Sequence, residues 1–253
     1  MLSLTRVIPL GLLMTAGAVA QTAAPAPLRV VAYSVEPYIH VANGHPAGLE
    51  YDILEYIAKA LGRPLEISWV ERFEEVLPAL EQGGFDVASA TITITPERQA
   101  RFAFSPAYLP VRVVLVEPSS ENTSSLAALR GSTLATIKGT TYESLLLQVP
   151  EVKLLYAASE QEQFELVAGG RARALAVDSA VAFHQLKRFP GLRLGMPLGP
   201  EQGFGFAFPK GSTLAPAFSR TLHQLKASNI YYPLLKKHLG EEAVAAVKAA
   251  KAQ

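Results

Sequence analysis

Apolar positions along this chain alternate between two spacings. Short β-branched runs of extended-strand character are separated by stretches whose apolar residues recur every three to four positions. Leu28–Tyr33 reads as a short buried strand, followed by a loop containing Pro37, Asn43-Gly44 and Pro46. Gly48 opens a helix in which Ile53, Leu54, Ile57, Ala58 and Leu61 share a face, and Gly62 ends it. Leu65–Val70 alternates as a strand, and Phe73–Glu81 reads as a helix turned inward on Val76, Leu77 and Leu80. Val87–Ile94 is then a strand, with Thr95 as a helix cap and Pro96 at the first helical position. This β-α-β-α-β order predicts a mostly parallel sheet with helices on its faces.

The second half repeats the alternation without repeating the sequence. Strands are expected at Val111–Val116, Ser132–Ile137, Val152–Tyr156 and Ala174–Val177. Between them fall a helical turn at Leu126–Leu129 and helices at Tyr142–Leu147, Glu160–Ala168 and Ser179–Phe189. Gly203–Phe208 reads as one more strand, followed by helices at Leu214–Leu225, Ile230–Leu239 and Glu241–Lys251, the last Ala/Lys-rich and expected to be largely exposed. Short linkers at Val114–Ser119 and Gly195–Gln202 divide the chain. One lobe is expected from residues 28–115 and 203–253, a second from 116–198, with 199–202 as a hinge segment. The fold class is therefore α/β in two lobes, each a mostly parallel sheet flanked by helices. Two crossings between two lobes are the layout of a hinge that closes on a ligand.

The first residues change where this fold must work. Arg6, the apolar run Val7–Val19 and the small residues Ala18-Val19-Ala20 read as a signal peptide of residues 1–20 cleaved after Ala20, with residues 21–27 as a leader. The chain has no cysteine, so neither a disulfide nor a lipid-bearing cysteine is available, and a sizeable core must hold the fold. Export of such a chain fits the periplasm. Loss of Arg6 with the signal leaves 22 basic and 22 acidic residues, and this balance argues against nucleic acid or anionic membrane as a partner. No later stretch has the length of a membrane span, and a soluble monomer without stable membrane insertion is expected. The five histidines lack metal-ligand spacing and no phosphate-loop or dinucleotide fingerprint is present, so neither a metal nor another cofactor is expected.

Candidate chemistry gathers where strands end, the place where open α/β sheets bind ligands. Arg98 follows the hydroxyls of Thr91, Thr93 and Thr95, and its fork suits a carboxylate; its ordinary role would be a surface ion pair. Gly139-Thr140-Thr141 offers backbone N–H groups and two hydroxyls as an anion-binding nest, or simply a helix cap. Asp178 ends an apolar run and could bind a cation or cap the next helix. Together, an arginine and a helix start facing a carboxylate match the two charges of a free amino acid.

Five ordered segments carry a family resemblance: Gly48-Leu-Glu-Tyr-Asp52, Gly84-Phe-Asp-Val87, Thr93-Ile-Thr-Pro-Glu-Arg98 with Phe104-Ser-Pro-Ala-Tyr108, Lys138-Gly-Thr-Thr141, and Gly170-Arg171 followed by Asp178. On these the chain resembles the family 3 periplasmic solute-binding proteins of polar amino-acid ABC transport, which have the type II periplasmic binding protein fold. The resemblance implies that Arg98 binds the ligand carboxylate with Thr93 and Thr141. It implies that Asp178 and Thr91, or the backbone at Ala90 and Thr91, hold the amino group. Phe73, Tyr38 and Val35 would line the side-chain pocket, and Glu50 would reach a polar ligand tail. As ordinary roles, Phe73 and Tyr38 would be core aromatics and Glu50 a solvated residue on its helix's first turn. The chain departs from the family at Arg171-Ala-Arg-Ala174, which lacks the usual aspartate, and at Ser34-Val35-Glu36, where a pocket aromatic is common. The expected partners are a small-molecule amino acid and an ABC transporter permease. Cyclohexadienyl dehydratases, which act on prephenate or arogenate, share the resemblance and make an enzyme the alternative, with Glu50 or Glu143 as acid; a ligand-sensing module is a third reading.

Overall fold

A computed structural model describes residues 25–251; the expected signal peptide and residues 21–24 lie outside them. The first strand, β1 (Leu28–Tyr33), is buried along nearly all its length. A hairpin of β2 (His40–Ala42) and β3 (His45–Ala47) follows. Asn43 and Gly44 turn it with φ of 51° and 79°, the positive values a two-residue type I′ turn needs. The hydrophobic pattern shows this stretch only as a loop because its strands are three residues long. Next come α1 (Leu49–Ala60), β4 (Leu65–Val70) and a 3₁₀ turn at Phe73–Glu75 that continues as α2 (Val76–Gln82). The lobe's first passage ends with β5 (Val87–Ser89), α3 (Pro96–Arg101) and β6 (Phe102–Phe104).

The chain then crosses through β7 (Leu109–Val111) and builds the second lobe. Its elements are β8 (Val113–Pro118), β9 (Thr133–Thr136), α4 (Thr141–Leu146), β10 (Lys153–Tyr156), α5 (Glu160–Ala168), β11 (Ala174–Asp178), α6 (Ser179–Gln185) and β12 (Leu192–Pro197). It returns through β13 (Gln202–Phe204) to β14 (Ala207–Pro209) and finishes as α7 (Ala215–Ala227), α8 (Tyr231–Leu239) and α9 (Glu241–Lys251). The two crossings pair with each other: β13 runs antiparallel to β7, Gln202 opposite Val111 and Phe204 opposite Leu109.

The sheets have the orders β4-β1-β5-β14-β6 and β10-β9-β11-β8-β12. In each, the first two pairings are parallel and the last two antiparallel. Four strands of each sheet therefore share one direction and a single strand, β14 in the first and β8 in the second, runs against them, so the sheets are mostly parallel as expected. Strand β12 falls partly in the expected Gly195–Gln202 linker; as a half-exposed edge strand ending in Gly and Pro, it carries little hydrophobic signal. The second sheet begins at Val113, three residues before the expected boundary at 116, since β8 pairs with β11 from its first residue.

Two expected strands are broken. Val87–Ile94 leaves the sheet after Ser89, and Gly203–Phe208 divides into β13 and β14. An antiparallel bridge between Thr93 and Phe204 and a hydrogen bond from Gly205 N to Ile92 O (2.9 Å) tie the two irregular stretches together. Phe206 and Phe208 pack on Phe218 with ring centroids 5.2 and 4.9 Å apart, fixing α7 against this lobe. Helix α9 is less exposed than its composition suggests, with Val244 and Val247 buried. Burial of aromatic and aliphatic side chains supplies the cohesion that a chain without disulfides needs.

Candidate functional site

The site begins where β5 stops. Glu50, on the first turn of α1, is wholly buried and accepts hydrogen bonds from Ser89 Oγ (2.5 Å), Thr91 N (2.9 Å) and the Tyr108 hydroxyl. Burial raises its pKa, and the three donors oppose the rise. Giving its N–H to a side chain takes Thr91 out of the strand ladder, and Thr91 adopts a left-handed φ of 49°. Glu50 is therefore buried rather than solvated, and its hydrogen bonds shape the loop that carries the site.

That loop leads into α3, where Thr95 Oγ1 accepts from Arg98 N at 3.2 Å as the expected cap. The Arg98 guanidinium donates through Nη1 to Thr93 O (2.9 Å) and lies 5.7 Å from the Phe73 ring centroid. Its Nη2 crosses to the other lobe and donates to Gly139 O at 3.0 Å. Three of its five N–H donors are left for other acceptors. Loss of water around it pulls its pKa below the usual arginine value, with Asp178 opposing.

On the second lobe, Thr140 caps α4: its Oγ1 accepts from Glu143 N (3.2 Å) and donates to Ile137 O (2.6 Å). The Gly139 N–H, expected to help form an anion nest, is instead taken by Glu143 Oε2 at 2.6 Å. Thr141 keeps a buried hydroxyl with no partner. Asp178 sits at the cap position of α6 but makes no capping hydrogen bond, and its Oδ1 is buried and unpartnered. Burial lifts its pKa to about 7, against the pull of Arg98.

Arg98, Asp178, Thr91, Thr93, Thr140, Thr141 and Phe73 line one small cavity between the lobes. Tyr142 and Glu160, which the sequence reading passed over, complete its wall. Glu160 starts α5 after the end of parallel strand β10, so the strand-end rule that singled out Asp178 would also have found it. Its carboxyl, supported by its own backbone N–H, is raised by burial to about 7, with Asp178 adding to the rise. Ala90, Tyr38 and Val35 are buried and do not line this cavity. The Ala90 carbonyl accepts from Thr91 Oγ1 (2.7 Å), Val35 pairs with Ile39, and Tyr38 packs edge-on to Phe204 at 5.9 Å. Tyr38 is core, as its ordinary role would have it, with a buried hydroxyl left unpartnered.

Further contacts join the lobes around this cavity. Tyr33 donates to Ala158 O at 2.7 Å, and Arg188 reaches Glu36 at 3.3 Å. Gly139 has a φ of +78°, and a Cβ there would stand 3.0 Å from that of Glu74; a larger residue would hold the lobes apart. Around the cavity, a fork of donors, an unpartnered carboxylate and a free hydroxyl present complementary charges to a small molecule carrying both signs. Among the described residues there is no cluster of metal-ligating side chains, and no helix is long and apolar enough to cross a membrane.

Comparison with known proteins agrees with this architecture. The family model for bacterial extracellular solute-binding proteins, family 3, matches residues 28–241. The ABC transporter glutamine-binding protein GlnH of Bacillus subtilis (strain 168) is 28% identical over 207 residues, covering 79% of this chain and 76% of that protein. A membrane-bound lytic murein transglycosylase F of Photobacterium profundum is 25% identical over 212 residues, 79% of this chain but only 41% of that enzyme. Among solved structures, the ancestral amino acid-binding protein AncCDT-1, a precursor of cyclohexadienyl dehydratase, is similar with a TM-score of 0.78 and 28% identity, over 84% of this chain and 95% of that one. The chain belongs to the bacterial extracellular solute-binding proteins, family 3, and its two lobes have the type II periplasmic binding protein fold.

Proposed function

We propose that the mature protein binds one free α-amino acid between its lobes and delivers it to the permease of an ABC importer, working in the periplasm after loss of residues 1–20. In this reading Arg98 takes the ligand carboxylate with Thr93 and Thr141, and Asp178 with Thr91 takes the α-ammonium. The observation that carries it is the buried, unpartnered Oδ1 of Asp178, in a cavity shared with a guanidinium that has donors to spare. An uncompensated polar atom in such a place costs about 1–3 kcal/mol, which a ligand ammonium would recover. The paired crossings β7 and β13 act as the hinge, and ligand favours closure because only the closed form lets both lobes touch it.

Support for the dehydratase alternative is thinner. Both acids considered from the sequence are held elsewhere: Glu50 by three donors, Glu143 by Gly139 N and the Tyr156 hydroxyl (2.7 Å). A thermal-shift screen over the amino acids and related small acids tests the proposal, since a ligand that binds only the folded state raises its melting temperature. The expected result is a hit abolished in both Arg98→Ala and Asp178→Ala. A hit retained in both variants would place the ligand elsewhere, and phenylpyruvate formed from prephenate by the purified protein would make it an enzyme.

A further inference from the structure

The charges around the cavity do not balance for a neutral amino acid. Among the described residues, Arg98 is the one cation in its wall, while Asp178 and Glu160 are two carboxyls. Among the described residues no lysine, arginine or histidine lies within ion-pair distance of either carboxyl. In the proposed binding mode the ligand carboxylate neutralises Arg98 and the α-ammonium neutralises Asp178. Glu160 is then left over, 6% exposed, in a wall it shares with Tyr142 and Phe73. A buried carboxylate without a cation is costly.

We propose that Glu160 is the specificity-determining residue of this site and that it selects an amino acid with a basic side chain, whose second cation pairs with it. The inference rests on the amino-acid-binding reading and deepens it. The unpartnered Asp178 oxygen and Thr141 hydroxyl in the same wall are the independent sign that a ligand completes this group of acids. The Glu160 backbone N–H, at the first position of α5, supports the carboxylate but cannot neutralise it. Tyr142 and Phe73 suit the alkyl stem of such a side chain.

The test is titration calorimetry with paired ligands of like shape and different charge: L-arginine against L-citrulline, and L-lysine against L-norleucine. The expected preference for the cation is about thirtyfold or more, in line with one buried charge pair. Glu160→Gln should abolish that preference while leaving the neutral partner bound as well as, or better than, in the parent. In the parent, repeating the titrations in buffers of different ionisation enthalpy gives a second measure that needs no variant. At pH 7 the cation should release more protons than its neutral partner, because it ionises Glu160 as well as Asp178. Equal affinities within each pair, or a preference unchanged in Glu160→Gln, would overturn the role of Glu160 while leaving amino-acid binding intact. Failure of every α-amino acid to bind would overturn both.

Discussion

Arg98 donates to the carbonyl of Gly139 across the cleft at 3.0 Å, so the residue proposed to take the ligand carboxylate also joins the lobes. The same side chain grips Thr93 of its own lobe. Its remaining donors are fixed in direction before any ligand arrives, which lowers the entropy cost of binding.

Removal of that fork is therefore expected to act on both binding and closure. Arg98→Ala should weaken ligand binding by tens to thousands of times, matching the roughly 2–5 kcal/mol lost when one member of a buried charged pair is truncated. Arg98→Lys should recover only part of it, since an ammonium lacks the bidentate fork. Calorimetry reads the affinity, and small-angle scattering reads whether the lobes still close.

Acidity sets the second expectation. Asp178 and Glu160 both titrate near pH 7 in the folded protein, well above ordinary carboxyls. Between the unfolded values and about 7, the folded state holds protons that the unfolded chain has already released, so stability falls as pH rises through this window. Each carboxyl contributes at most about 1.4 kcal/mol per pH unit. The titratable and charged groups that act on them are Arg98, Tyr38, Tyr108, Tyr142 and Glu160 for Asp178, and Tyr33, Tyr142 and Asp178 for Glu160. Ligand-free protein should lose melting temperature from pH 5 to pH 8, while affinity for an ammonium-bearing ligand rises. Asp178→Asn should flatten the profile, and an equally steep one in that variant would show that other groups set it.

Thr141 separates stability from binding. Its hydroxyl is buried without a partner, so Thr141→Val should leave the ligand-free protein as stable or slightly more stable. Affinity should drop about fivefold, the worth of one hydrogen bond of about 1 kcal/mol. Equal affinity for parent and variant would remove Thr141 from the ligand's contacts.

Glu50 is expected to behave in the opposite sense. Glu50→Ala leaves Ser89 Oγ, Thr91 N and the Tyr108 hydroxyl without their acceptor inside the core. At about 1–3 kcal/mol for each buried unsatisfied group, the variant should be destabilised by several kcal/mol, read as a large fall in urea midpoint. Any loss of affinity would follow from the released Thr91 loop, not from a lost ligand contact.

Much of this molecule could be read from residue order alone. Strands β1 and β4 and helix α5 lie where periodicity places them, because the spacing of their apolar residues admits one conformation. The Thr95 cap with Pro96 behind it is local chemistry, and so needs no tertiary information. Arg98, Asp178 and the threonines were legible as strand-end residues that the topology gathers at one edge.

What the chain order could not reveal depended on partners distant in sequence. The strand after Val87 breaks because Glu50, some forty residues earlier, takes the Thr91 N–H. Helix α9 is partly buried for the same kind of reason. Glu160 stands at a strand end and a helix start, a position the chain order marks but whose burial it does not. Only folding, which buries it near Asp178, makes its charge matter, because the energy of a carboxylate is decided by what surrounds it.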